Sequence, residues 1–255
     1  MEISLCVITL NEEENLDRCL ESASSLVDEI VVLDSGSTDG TGAIAEEHGS
    51  RWEVKEWEGY VAQKNAVIDL ASHEWILLMD ADECLSAELA RELKNLKARL
   101  QDSEHAGYSM PRCTCYEGRW IRHGDWYPDR LVRLFRKKAA RFEGGKVHER
   151  LEVSGSIGFL AGDLEHYSFR DSEDHVERAK KYAHLWAESA LENGKKGGFL
   201  SAASHAGFRW LRSYVLRGGF LDGVQGWKIA RISAGEVFLK YRLLAHFERE
   251  EGRED

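Results

Sequence analysis

The stretch Glu74-Trp75-Ile76-Leu77-Leu78-Met79-Asp80-Ala81-Asp82-Glu83 decides how the rest of the chain is read. Residues 74–79 read as a buried strand that ends at Asp80. An acidic cluster follows at once. Carboxylates two apart in a turn can converge on one hard cation. Mg²⁺ and Mn²⁺ prefer oxygen ligands, usually one or two carboxylates completed by diphosphate oxygens. The same cluster would also serve as an acidic cap on the next helix. Its position after a buried strand favours the metal, because ligands of open α/β sheets bind outside the carboxyl ends of the strands.

Working outward, the first hundred residues repeat one pattern. Residues 3–9 (Ile-Ser-Leu-Cys-Val-Ile-Thr) predict a buried strand. Asn11 is a good helix N-cap, with Glu12, Glu13 and Glu14 in the first turn behind it. Residues 29–33 predict a second buried strand, ending at Asp34. The loop Ser35-Gly36-Ser37-Thr38-Asp39-Gly40 leads to a helix over about 41–49. A short strand near 52–56 and a helix near 60–71 follow, and Ser86 caps an amphipathic helix to about 101. Strands alternating with helices imply an α/β fold with a mostly parallel, Rossmann-like sheet and right-handed crossovers. Asn11, Asp34 and Asp80 then stand at three strand ends on one rim.

From about 105 the pattern changes to short strand-like runs, 106–113, 131–135 and 156–166, separated by Gly-rich turns. From 172 it is helical, over about 172–193, 199–217 and 224–248. The expected organisation is a catalytic domain over 1–170 and a helical C-terminal region over 171–255. The catalytic domain divides into a nucleotide-binding half (about 1–104) and an acceptor half (about 105–170).

Composition sets further bounds. A chain of 255 residues, 43% hydrophobic and 31% charged, can bury a real core. Its net charge of -11 argues against a general nucleic-acid binder, which needs a basic field. The charge is uneven: residues 1–100 hold 8 Lys/Arg and 22 Asp/Glu, whereas 195–246 hold 9 Lys/Arg and 2 Asp/Glu. The basic, aromatic C-terminal stretch suits an anionic surface, and packing of helices onto the rest of the chain explains it equally. The odd count of five cysteines, irregularly spaced, argues against a disulfide framework and for a reducing cytoplasm. Met1-Glu2 leads straight into a strand-like run, so no signal peptide is expected. No apolar run approaches the roughly 18 residues of a membrane span.

Several motifs are candidates for chemistry. In Asp34-Ser35-Gly36-Ser37-Thr38-Asp39-Gly40 the glycines allow close backbone approach, and the short polar side chains can bond a base or ribose; a plain polar turn is the alternative. No Gly-x-Gly-x-x-Gly and no Gly-Lys-Ser phosphate loop is present, which weakens dinucleotide and ATPase readings. Lys64, on a helix, could meet a diphosphate as a point charge or simply be solvated. In Val147-His148-Glu149, His148 is a candidate metal ligand and Glu149 a candidate general base, with a structural pair as the alternative. The aromatic, Arg- and Asp-rich segment 116–130 suits a sugar-binding lip or an aromatic mini-core. Trp126 and Arg130 within it, and Arg133 just beyond, are the candidate acceptor-binding residues.

On these residues the sequence resembles the family-two inverting glycosyltransferases of the GT-A fold. The first hundred residues carry the likeness: Val7-Ile8-Thr9-Leu10-Asn11-Glu12-Glu13, the run from Val31 to Thr41, and Asp80-Ala81-Asp82-Glu83. Later pieces are similar to the bacterial lipopolysaccharide-core β-1,4-glucosyltransferases: Gly118-Arg119-Trp120-Ile121, Trp126-Tyr127-Pro128-Asp129, Arg133-Leu134-Phe135-Arg136, Val147-His148-Glu149, His166-Tyr167-Ser168 and the run Gly219 to Gly223. The resemblance implies a UDP-sugar donor, a glycan or lipid-linked saccharide acceptor, and Mg²⁺ or Mn²⁺. It implies that Thr9, Leu10, Asn11, Glu12, Asp34, Ser35, Lys64, Asp80 and Ala81 line the nucleotide-sugar site. It makes Asp82 the main metal ligand, with Asp80 at the ribose or the metal; His148 is added as a metal ligand from the Val147-His148-Glu149 motif. The family's usual Glu-Asp pair after the metal motif is missing here. Glu149 is therefore the first candidate base and Asp129 the second. A cytoplasmic enzyme at the inner face of the cytoplasmic membrane, touching it through the basic helices, is the expected setting.

Two other functions compete. A nucleotidyltransferase also uses paired carboxylates and metal, but it would carry a Gly-rich basic loop early, where this chain has Asn-Glu-Glu-Glu. A catalytically inactive sugar-nucleotide binding protein is the other; carboxylates at the strand ends speak against it.

Overall fold

The computed structural model describes residues 1–144 and 149–254. The chain divides into two units: residues 1–112 with 129–167, and residues 113–128 with 168–255. The segment 113–128 thus belongs with the C-terminal helices and not with an acceptor half of the catalytic domain, as the sequence suggested. Side-chain packing, not chain order, assigns it: Tyr116 and Ile121 share a core with Ile229.

In the first unit the apolar runs become strands β1 (Ile3–Thr9), β2 (Glu29–Asp34), β3 (Arg51–Val54) and β4 (Trp75–Asp80). They pair in parallel in the order β3-β2-β1-β4. Helices α1 (Leu16–Ser24), α2 (Thr41–Glu47) and α3 (Tyr60–Leu70) make the crossovers. Every residue of β1 is buried because helices cover both faces. The two-residue period of a strand sorts the side chains. Ile3, Leu5, Val7, Trp75, Leu77 and Met79 pack with α1, and Cys6, Ile8, Ile76 and Leu78 pack with Val67 and Ile68 of α3. Register places Thr9 opposite Asp34 and Ile8 opposite Asp80, so the strand ends do share one rim.

Strand β5 (Glu83–Leu85) follows, then α4 (Ala87–Lys97), whose N-cap Ser86 accepts from Leu89 N at 3.2 Å. Beyond it come β6 (Gly107–Tyr116), β7 (Arg119–Trp120) and β8 (Asp129–Arg136). Two further strands, β9 (Ala140–Gly144) and β10 (Glu149–Val153), form an antiparallel pair of their own. The expected strand over 156–166 is two, β11 (Ile157–Phe159) and β12 (Leu164–His166). The main sheet runs β3-β2-β1-β4-β8-β6-β12-β5, and it turns antiparallel from β4 to β8. The mixed architecture of parallel core, antiparallel extension and C-terminal helices is the expected one.

Asn11 corrects the reading of its loop. Helix α1 begins at Leu16, so Asn11 is not its cap. Asn11 instead adopts φ +54°, a conformation Asn tolerates better than most residues, and turns its side chain to the next loop.

The second unit holds α5 (Ser172–Glu192), α6 (Phe199–Trp210) and α7 (Gly223–Glu254). Asp171 caps α5 by accepting from Glu173 N and Asp174 N. A π-helical turn over Leu211–Leu216 extends α6, and a 3₁₀ turn over Gly219–Asp222 precedes α7. Trp126 stacks on Phe169 at 5.1 Å within a cluster that includes Tyr116 and His175. The aromatic mini-core is therefore the reading that fits Trp126, which corrects its assignment to the acceptor lip.

His175 is only 5% exposed, and burial pushes its pKa down to about 4. In the unfolded chain it titrates near the ordinary 6.5. Below that value the unfolded state binds a proton that the folded state refuses, so stability is lost as pH falls from about 6.5 toward 4. Urea unfolding at pH 7 and pH 5 is expected to show a lower midpoint at pH 5, and the drop should shrink in His175→Gln.

Candidate active site

The loops after β1 and β2 are stitched together through backbone and side chain. Asn11 Oδ1 accepts from Thr38 N at 2.9 Å, and Asn11 N donates to Ser37 Oγ at 2.8 Å. Glu12 N donates to Thr41 Oγ1 at 2.8 Å. Asp34 Oδ1 accepts from Gly36 N and Ser37 N, both at 2.6 Å, and folds the loop into an Asx turn. Gly36 sits at φ +100°, which a side chain would disfavour. Ser35 Oγ accepts from Gln63 Nε2 at 2.8 Å, tying α3 to the same loop.

Three buried acceptors here lack a donor among the described residues: Asp34 Oδ2, Thr9 Oγ1 and Gln63 Oε1. Asp34 is 1% exposed and lies opposite Thr9 across the β1–β2 ladder. A buried carboxylate oxygen without a donor is costly, and an N–H or O–H of a ligand is what would satisfy it. Leu10, half exposed, offers an apolar surface beside this loop, and Ala81 is buried.

A chain of alternating charges crosses the rim. Glu149 Oε1 accepts from Lys64 Nζ at 2.9 Å, and Lys64 lies 3.2 Å from Asp80 Oδ1. Asp80 Oδ2 accepts from Arg133 Nη2 at 2.6 Å, and the same nitrogen donates to Glu83 Oε1 at 2.6 Å. Arg112 stands 3.6 Å from Glu83 and donates to Asp129 Oδ2 at 2.7 Å. The two candidate bases, Glu149 and Asp129, are thus the two ends of one network. Burial alone would raise the Asp80 carboxyl, but Arg133, and after it Lys64, hold it well below the usual carboxylate range. Burial likewise opposes charge on Arg133, and Asp80 and Glu83 keep it protonated. Four carboxylates against three cations leave this chain at -1, and Asp82 beside it brings the total to -2.

Asp82 is separate from that network. Its Oδ2 lies 3.3 Å from His166 Nε2, and its carbonyl accepts from Tyr167 N at 2.8 Å. No group of three or more metal-ligating side chains is assembled among the described residues. A carboxylate with one imidazole nonetheless fits Mg²⁺ or Mn²⁺ where a diphosphate completes the shell. Two expectations for the metal change. Both Asp80 oxygens are engaged by cations, so Asp80 belongs to the ion-pair chain. His148 lies outside the described residues, and His166 is the imidazole that the fold brings to Asp82.

The expected acceptor-binding arginines part company. Arg133 is 4% exposed and committed to Asp80 and Glu83, so it organises the rim and does not form a lip. Arg130 is exposed on β8, donates to Leu160 O at 3.1 Å and covers the Phe159 ring. Four residues of the arrangement had no role assigned from the sequence: Gln63, Glu83, Arg112 and His166. Glu83 lay inside the acidic motif and His166 inside His166-Tyr167-Ser168, so both had a local signal. Gln63 and Arg112 acquire meaning only through their tertiary partners.

The parallel sheet, with Thr9, Asp34 and Asp80 at its strand ends on one rim, is of the α/β class whose ligands bind at that edge. Residues 4–159 match the glycosyl transferase family 2 model, and the chain belongs to that family; it is a glycosyltransferase. An uncharacterized glycosyltransferase of Rickettsia typhi is 30% identical over 94% of this chain and 85% of its own length. The lipopolysaccharide core biosynthesis glycosyltransferase LpsC of Rhizobium meliloti is 29% identical over 96% of this chain and 95% of its own. Among solved structures, Staphylococcus aureus TarS in complex with UDP-GlcNAc matches at TM-score 0.48 and 15% identity, over 98% of this chain and 92% of that one.

Proposed function

We propose that the enzyme moves a hexose, glucose in the first instance, from a UDP-sugar to a sugar hydroxyl of a lipopolysaccharide-core or similar glycan, with inversion and with a divalent metal. The observation that carries this reading is the link Glu149–Lys64–Asp80, which sets a candidate base beside a buried cation at the rim where Asp34 and Thr9 offer unpartnered acceptors. The acceptor class follows the name of the Rhizobium meliloti relative and the motifs of the second half of the chain. The setting follows as cytoplasmic, at the inner face of the cytoplasmic membrane.

The proposed chemistry needs one base. The acceptor oxygen attacks the anomeric carbon from the face opposite the diphosphate, and its proton passes to Glu149. The anomeric C–O bond breaks and its electron pair leaves on the diphosphate. A diphosphate leaves without being protonated, unlike the leaving group in a glycosidase. Lys64 is a point charge toward that diphosphate. Asp82 and His166 would hold Mg²⁺ or Mn²⁺, which would neutralise charge growing on the leaving group. A rim already at -2 could not otherwise accept an anionic diphosphate without strong repulsion.

UDP release from UDP-glucose, measured with lipopolysaccharide-core acceptors that lack outer sugars, tests the reading. Turnover is expected to need Mg²⁺ or Mn²⁺ and to vanish in EDTA and in Asp82→Ala. Full activity of Asp82→Ala in EDTA would rule the metal out. For the donor pocket, Asp34→Asn is expected to keep the Asx turn but lose the charge on its buried acceptor. A hydrogen bond to a charged group contributes about 1.5–3 kcal/mol, so UDP should bind about 10- to 100-fold more weakly by calorimetry. An unchanged Kd would remove Asp34 from the nucleotide site.

A further inference from the structure

The second unit presents an apolar ridge with a basic flank. On α6, Leu200, Phe208 and Leu211 are exposed and fall within about 80° of one another at 100° per residue, so they share one face. The ridge continues past the π-helical turn through Leu216, Phe220, Leu221, Val224 and Trp227, each at least 44% exposed. So many exposed large apolar side chains within residues 200–227 are uncommon on a protein that meets only water.

These side chains do not stand out because the loop is slack. A Cβ on Gly219 would come within 2.6 Å of Ser213 O, and one on Gly226 within 1.9 Å of Gly219 O, so the 3₁₀ turn is clamped between the π-helical turn and α7. Asp222, 2% exposed, accepts from Arg122 N and His123 N at 3.2 and 2.8 Å and pairs with His123 Nδ1 at 2.9 Å. The turn that carries Phe220 and Leu221 is therefore held from inside while its apolar side chains face outward.

Charge decides what covers the ridge. Residues 195–235 contain seven Lys/Arg and one acid, the buried Asp222, in a chain whose net charge is -11. Arg209, Arg212 and Arg217 gather on Asp125 at 3.2, 2.9 and 3.1 Å. One carboxylate leaves three guanidiniums with an excess of two positive charges. The Arg217 side chain is 53% exposed. No helix among the described residues is long and apolar enough to cross a membrane. An apolar ridge edged by uncompensated arginines is the pattern of a surface that lies in the plane of an anionic bilayer.

We propose that this face of the helical unit docks on an anionic phospholipid surface. Leu216, Phe220, Leu221 and Trp227 enter the headgroup boundary, and Arg212 and Arg217, with side chains 37% and 53% exposed, meet lipid phosphates. The proposal deepens the reading of a lipid-linked acceptor but does not rest on the donor or the base.

The test is co-sedimentation of the full chain with phosphatidylcholine vesicles, with and without about 30 mol% phosphatidylglycerol. The bound fraction is expected to rise with phosphatidylglycerol and to fall as salt is raised. Arg217→Gln should lower the partition coefficient about fivefold. Leu216→Ser with Leu221→Ser should abolish most binding, with an unchanged circular dichroism melt showing that the fold is intact. Brominated lipids should quench wild-type tryptophan fluorescence more than that of Trp227→Phe. Binding equal on phosphatidylcholine alone, binding independent of salt, or unaltered binding by the variants would overturn the proposal. So would a dimer in solution that the Leu216→Ser, Leu221→Ser variant disperses while wild type ignores vesicles. Transfer to a soluble acceptor should stay at the wild-type level in both variants. Vesicle binding by a wild type that transfers no sugar would overturn the enzymatic reading and leave the docking intact.

Discussion

Glu149→Gln is expected to lower kcat for sugar transfer by about 10²- to 10⁴-fold, the usual contribution of a general base. The Km for the donor should move only a few-fold, because Gln keeps an oxygen that can accept from Lys64 at the place where Glu149 Oε1 does now. The informative partner is Asp129→Asn. Asp129 already accepts from Arg112 through two nitrogens, at 2.7 and 3.1 Å, both on Oδ2. Glu149 accepts from Lys64 on Oε1, stands beside the Lys64–Asp80 pair at the strand-end rim, and has a side chain 30% exposed. Steady-state kinetics with UDP-glucose and a truncated core acceptor decides between them. A Glu149→Gln enzyme as fast as wild type beside a dead Asp129→Asn enzyme would move the base to the other end of the charge network.

Arg133→Met is expected to destabilise the protein by about 3 kcal/mol, the lower end of what breaking a buried pair costs. Arg133 holds Asp80 and Glu83 together through one nitrogen, and the Glu83 side chain has no exposure at all. Removing the guanidinium leaves the Glu83 charge buried with its nearest remaining cation, Arg112, 3.6 Å away. The lower end applies because the Asp80 side chain is 26% exposed and water can reach it. Adding Glu83→Gln should recover part of the loss, because Gln carries no charge and can still accept from Asp80 N as Glu83 Oε2 does. Chemical denaturation of the two single variants and the double variant measures the coupling. Losses that simply add would show that Arg133 and Glu83 do not act as a pair.

Both experiments probe a feature that the sequence showed in fragments. Asp80, Lys64, Glu149 and Asp129 were each recognisable by residue type and by position relative to a strand or a motif. Their ordering into one alternating chain was not, because Lys64 and Glu149 are 85 residues apart and Arg133 and Asp80 are 53 apart. Arg112 was hidden too, because its partners Glu83 and Asp129 lie on other strands. Asn11 shows the opposite error, in which a sound local rule assigned a helix cap to a residue that tertiary contacts use to tie two loops. Trp126 shows a third kind: aromatic composition fits a sugar lip and a mini-core alike, and only the stacked Phe169 ring decides.

Local signals in the sequence specify the first half of the fold. Apolar runs of strand length, broken by helices of amphipathic or acidic-capped type, dictate β1 to β4 and their crossovers. Parallel pairing then places Thr9, Asp34 and Asp80 on one rim whatever the rest of the chain does. How those carboxylates are used depends on contacts between residues far apart in the chain. A carboxylate's role depends on which charge lies within about 4 Å, where the interaction is strong, and sequence spacing carries no such information. Thus Asp80 is held by Lys64 and Arg133, Asp82 is left to His166, and the arginines of the C-terminal helices gather on Asp125 beside an apolar ridge.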